Sequence, residues 1–143
     1  MTALHDFNNI LKSFSRVWSS RKRDQCVVSL ALPIKGIDPL FSLPVLATGQ
    51  QFRFQWDEAP ADCLAAAGKS QHIEITGPRR FELAQNFADS IFGKLLDLTT
   101  DVPTNARPRI LIVCSFFEQI SVRDQSSSNP SSLQAVLPRW QLA

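Results

Sequence analysis

Glycine is scarce in this 143-residue chain, with five in all, and none sits in a phosphate-cradling loop or a Gly-x-Ser-x-Gly elbow. The usual signatures of nucleotide binding and serine hydrolysis are therefore missing. Histidine is scarcer still: His5 and His72 stand far apart, and no cysteine pair has the spacing of a zinc site. The three cysteines, Cys26, Cys63 and Cys114, are odd in number, widely separated and flanked by apolar residues. They read as buried free thiols in a reducing compartment rather than as a disulfide framework. No apolar run approaches the ~20 residues needed to cross a bilayer. Residues 1–20 carry Asp6, Lys12 and Arg16 and lack the apolar centre of a signal peptide, so a cytoplasmic protein is expected. Charge of one sign is also lacking. The net charge is +2, and the one cationic cluster, Arg21-Lys22-Arg23, is followed at once by Asp24. It reads as a solvated turn, and nothing forms the basic face of a nucleic-acid binder.

What is present is enough apolar material for one core. The hydrophobic fraction is 44%, with ten Phe and three Trp, and a globular chain of this size buries about 70% of its unfolded surface. Leu4, Phe7, Leu11, Phe14 and Trp18 recur at helical spacing, with Thr2 available as a cap. Residues 1–20 are thus expected to form an amphipathic helix. Its other face (Asp6, Asn9, Lys12, Ser13, Arg16) is too weakly cationic for a membrane surface, so it should pack on its own domain.

Residues 21–143 read as an α+β domain. Cys26–Leu32 is a buried strand, Lys35–Pro39 a turn, and Leu40–Leu46 an apolar connection broken by Pro44. Phe52, Phe54 and Trp56 alternate with Arg53 and Gln55, which marks a strand with one side buried. Cys63–Ala67 reads as a short Ala-rich helix closed by Gly68, and His72–Thr76 as another strand. Pro78 opens a long helix whose inner stripe is Phe81, Ala84, Phe87, Ile91, Leu95 and Leu98. A loop over 102–108 leads to an apolar strand, Arg109–Phe117, suited to a sheet covered on both faces. Ser126–Ser132 is a low-complexity turn before a last strand, Gln134–Ala143. That strand stays apolar to its end, which reads as truncation.

Candidate chemistry is thin. Asp57 and Glu58 are adjacent on a strand end and point to opposite sides, so they do not form an acid/base pair. Gly77-Pro78-Arg79-Arg80 could hold an anion at a helix start, although most such sequences only start helices. The aromatic strand at 52–56 reads as core rather than as a platform for nucleobases. No catalytic, cofactor-binding or metal-binding residue is assigned.

The order of segments carries a resemblance. Asp38-Pro39-Leu40, then Phe52-Arg53-Phe54-Gln55-Trp56, Ala65-Ala66-Ala67-Gly68, Gly77-Pro78-Arg79-Arg80-Phe81, Ser115-Phe116-Phe117 and Leu137-Pro138-Arg139-Trp140 follow one another here. This succession resembles the N-terminal region of isochorismate synthases, chorismate-utilising enzymes, over about residues 25–143. Val113-Cys114 stands where those enzymes often carry small glycines. The resemblance implies the N-terminal part of the anthranilate synthase component I-like fold, a mostly antiparallel sheet with one long covering helix. It implies conversion of chorismate to isochorismate, an isomerase step feeding menaquinone or phylloquinone synthesis. It also implies that the water-activating lysine, the acid glutamate and the glutamates holding Mg²⁺ stand further C-terminal, outside this chain. The expected partner is a complementary C-terminal catalytic segment, without which the chain is inactive. The alternative is a stand-alone binding or regulatory module of the same descent.

Overall fold

The computed structural model describes residues 27–58, 62–98, 103–115 and 132–143, together with Lys12 and Ser15. The elements in order are β1 (Val27–Ser29), α1 (Pro39–Leu46), β2 (Arg53–Glu58), β3 (Asp62–Ile75), α2 (Arg80–Lys94), β4 (Leu95–Asp97), a 3₁₀ turn (Thr104–Ala106), β5 (Leu111–Cys114) and β6 (Leu133–Leu142). Four strands form an antiparallel sheet in the order β2-β3-β6-β5, and β1 pairs with β4 in a separate parallel pair. The chain is thus α+β, as its sequence pattern predicts.

Two long central strands organise the sheet. β3 pairs with β2 on one side, Phe54 opposite Ala66 and Asp57 opposite Cys63. On its other side it pairs with β6, from Ala65 opposite Leu142 to Ile75 opposite Leu133. The register of this second pairing shifts between Lys69 and Gln71, a bulge that lets one 14-residue strand bend along its length.

Successive strand residues point to opposite faces, so β3 and β6 divide the core between two sides. On one side Leu64, Ala66 and Val136 pack with Phe52, Leu111 and the half-buried Phe54. On the other, α1 lays Leu43 and Ala47 over Ala65 and Ala67. Further along that side α2 lays Ala84 and Phe87 over Ile73, Ile75, Leu133 and Ala135. The fully buried Leu133 contributes about 1.5–3 kcal/mol by leaving water.

Several expectations need correction. Residues 63–67 are strand, not helix, despite their alanines. Pairing with β2 and β6 on both sides outweighs alanine's helical preference, and small side chains let α1 approach closely. Gly68 is accordingly no helix cap: with φ 70° it stands beside the bulge and donates its N–H to the Phe52 carbonyl.

Residues 39–46 form a helix where an apolar connection was expected. Asp38 supplies the cap, its Oδ1 accepting from Leu40 N at 2.8 Å and Phe41 N at 3.5 Å. Pro39 occupies the first turn, where its missing N–H costs nothing.

The long helix begins at Arg80 and stops at Lys94, so Leu95 and Leu98 are not part of its stripe. Leu95 and Leu96 turn extended to pair with Val27 and Val28, and Leu98 donates its N–H to the Ser29 carbonyl. The stripe holds at Ala84, Phe87 and Ile91, but Phe81 is exposed. β5 is shorter than expected and lies at an edge, with Ile112, Val113 and Cys114 exposed rather than covered. The first strand keeps only Val27–Ser29 within its expected span.

Cys63 is half-buried and Cys114 exposed, so the thiols described here are not the buried hydrophobes expected. The helix over 1–20, Cys26, Phe116-Phe117 and the Ser126–Ser131 turn lie outside the described residues, save that Lys12 and Ser15 are helical and exposed.

Candidate functional site

The last strand builds a groove. Along its C-terminal half, Pro138, Arg139, Trp140 and Gln141 help to line a cleft of about 420 Å³ together with the β1–β4 pair. Gln141 anchors the far wall: its Nε2 donates to the Arg107 carbonyl at 3.0 Å and the Asn105 carbonyl at 3.4 Å. Those two bonds pin the 3₁₀ turn to β6 and so present Pro108 and Arg109 to the same cleft. Val28, Leu30 and Leu95 close it with apolar side chains.

A second hollow, about 490 Å³, shares Arg109 with the first. Phe54 and Trp56 of β2, Leu64 of β3, Phe92 of α2 and Leu111 of β5 line it, and Pro108 and Arg109 belong to both hollows. The aromatic strand therefore has a graded role: Phe52 is core, Phe54 half-buried, and Trp56 stands 53% exposed at the rim. Among the described residues lining the two hollows, the charged side chains are Arg109 and Arg139, both cationic. An apolar wall with two guanidinium groups suits an anionic group carried on an apolar body.

The remaining candidates fall apart in space or acquire simple partners. Asp57 lies opposite Cys63 and, with Asp38, raises the thiol's pKa; withdrawal from water is the larger cause. His72 is exposed on β3. Among the described residues no three His, Cys, Asp or Glu side chains converge as metal ligands. No described helix is long and apolar enough to cross a membrane.

At the start of α2, Arg79 is held by Glu82 through two contacts, 2.6 and 2.9 Å. That partnership depresses the Glu82 pKa. Arg80 is different. It is 6% exposed, its Nε and Nη1 have no hydrogen-bond partner among the described residues, and its guanidinium lies 4.9 Å from the Phe81 ring centre. Sequence reasoning named the helix start but treated the two arginines alike; only burial tells them apart.

Sheet, covering helices and an arginine-flanked groove define an α+β unit. The sequence model of the chorismate binding enzyme family matches residues 10–143, and the chain belongs to that family. No curated protein and no solved structure matches it.

Proposed function

We propose that this chain supplies the N-terminal structural layer of a chorismate-utilising enzyme of the isochorismate synthase branch, with the catalytic groups carried by a complementary segment. Residues 1–20 would form its leading helix and residues 21–143 the layer itself. The family match supports the chorismate part of this reading. The ordered segments ending in Leu137-Pro138-Arg139-Trp140 support the branch.

The observation that carries the structural role is the state of the sheet edges. β2 and β5 are the outer strands among the described residues, and both present large apolar side chains to solvent: Trp56 on one, Ile112 and Val113 on the other. Edge strands that live in water are usually blunted by charge or proline, since they otherwise recruit further strands. These edges suit continuation into a larger body.

In that body, the water-activating base, the acid and the Mg²⁺ ligands would all stand on the complementary segment. The present chain would hold them in place, in a cytoplasmic enzyme acting ahead of menaquinone or phylloquinone. The free thiols of Cys63 and Cys114 accord with a reducing compartment.

The test is reconstitution. The purified chain is mixed with the C-terminal catalytic segment of an isochorismate synthase, and chorismate conversion is followed with Mg²⁺ present. Turnover by the mixture but by neither part supports the reading. Turnover by the chain alone overturns the division of labour. A mixture that stays inactive while the intact synthase works counts against the branch.

A further inference from the structure

Arg80 sits where electrostatics argues against a cation. The N-terminus of a helix carries a partial positive charge, and a buried cation gives up hydration that only a partner restores. Both conditions apply here, because Arg80 is the first residue of α2 and only 6% exposed. Its neighbour gives no relief: Arg79 is already matched one to one by Glu82. The N-cap position is Arg79 itself, which offers no side-chain oxygen, so the first-turn amides have no side-chain cap. The Phe81 ring meets the guanidinium on its face, which leaves the N–H edges free for other partners. Two of those edges, Nε and Nη1, are buried and unpartnered.

We propose that Arg80 and the first turn of α2 form a binding site for a carboxylate supplied from outside the chain. Among the described residues the charge left without a partner is that of one guanidinium, and a carboxylate neutralises it one to one. Its oxygens accept from the Arg80 guanidinium and from the Phe81 and Glu82 amides, the Arg80 amide being taken by the Gly77 carbonyl, and such charge-assisted bonds are short and strong. The site is separate from the Arg109–Arg139 groove and stands on burial and missing partners, whatever reaction the family performs.

The experiment uses the full chain. Thermal unfolding is followed in rising sodium acetate against sodium chloride at matched ionic strength, for wild type, Arg80→Met and Arg80→Lys. The expected result is a saturable, acetate-specific rise of a few degrees in wild type that Arg80→Met abolishes. A second reading protects against a variant that does not fold: in wild type, the arginine Nε–Hε NMR signal absent from Arg80→Lys should shift on adding acetate.

Equal effects of acetate and chloride, or an acetate effect that survives in Arg80→Met with no Nε–Hε shift, overturn the site. Glu118→Gln and Asp124→Asn form the remaining arm, since both acids lie outside the described residues. If either variant lowers the wild-type midpoint but leaves that of Arg80→Met unchanged, the cation is paired within the chain. The external site is then wrong.

Discussion

Gln50 Oε1 lies 2.6 Å from the point where a β-carbon on residue 68 would stand, with the Arg139 Cβ 3.1 Å away on another side. Gly68 holds φ 70° there and ties the start of β2 to β3 by donating to the Phe52 carbonyl at 3.0 Å. Only glycine meets both demands, backbone in the left-handed region and no side chain between Gln50 and Arg139. Gly68→Ala should therefore destabilise the chain by about 1–3 kcal/mol, combining the left-handed strain with displacement of the Gln50 amide. Urea unfolding measures it, and a change under about 0.5 kcal/mol, the range of neutral surface changes, would refute the account of the bulge.

Ser132 joins three strands at one point. Its Oγ is buried and donates to the Ile75 carbonyl at 3.3 Å, and its carbonyl accepts from Ser115 N at 2.8 Å. Ser132→Ala leaves the Ile75 carbonyl without this donor and is expected to cost about 0.5–1.5 kcal/mol. Hydrogen exchange at the Ser115 amide should quicken alongside, because that amide bonds to the same residue.

The Asp38 cap admits a similar test. Without its carboxylate the Leu40 and Phe41 amides lose their acceptor, and α1 loosens over Ala65 and Ala67. Asp38→Ala should cost about 0.5–2 kcal/mol, and Asp38→Asn much less, because the amide oxygen still caps. Denaturation of the two variants side by side separates lost capping from lost charge.

These three positions also show how far the sequence could be read. The alternation at Phe52 and Phe54 and the stripe Ala84, Phe87, Ile91 survive because a buried face leaves a clear period, whereas Trp56, expected on the same face, is exposed. Residues 63–68 misled, because alanines and a following glycine look alike whether they end a helix or pass beneath one. Which applies depends on α1 and β6, elements distant in sequence. Asp38-Pro39 was visible as a break but equally wrote the start of a helix, since an Asx cap and a first-turn proline serve both uses. The groove was not legible at all. Gln141 and Arg107 meet only after β6 has found its register, and nothing in either segment announces the other.

Cys63 offers a chemical prediction. Withdrawal from water, then the charges of Asp57 and Asp38, push its thiol pKa up, only partly offset by a bond from the Leu40 backbone. The thiolate is the reactive form, so alkylation of Cys63 near pH 8 should run slower than that of an unhindered thiol. Asp57→Asn removes one of the two opposing charges and should quicken it. Mass spectrometry of iodoacetamide-treated protein over time reads the rate directly, and an unchanged rate in Asp57→Asn would remove electrostatics from the explanation.

The Arg79–Glu82 pair sets a pH expectation with a definite sign. Its folded-state carboxyl has a depressed pKa because Arg79 donates to it. Any stability from the pair is therefore full above the unfolded glutamate value and is lost as pH falls through the lower folded one. Both side chains are open to solvent, so the effect on unfolding is small and the titration itself is the better observable. The Glu82 carboxyl signal should titrate at lower pH in wild type than in Arg79→Gln. Identical midpoints would mean the pair does not persist in solution.

The exposed edge at β5 yields the most consequential prediction. Consecutive strand residues face opposite sides, so the exposure of both Ile112 and Val113 means the strand is open on its two faces, and among the described residues its outer edge has no paired strand. An apolar strand in that state recruits another strand, whether from a complementary segment or from a second copy of the chain. The isolated chain is therefore expected to self-associate as its concentration rises, with scattering mass increasing across the micromolar range. Val113→Lys places a charge on the edge and should hold the chain monomeric, changing its own stability by no more than about 0.5 kcal/mol because the site is already in water. The same variant should weaken productive assembly with a catalytic segment. If wild type stays monomeric throughout, or Val113→Lys associates just as readily, the edge is not the surface that seeks a partner, and the structural role proposed for it fails.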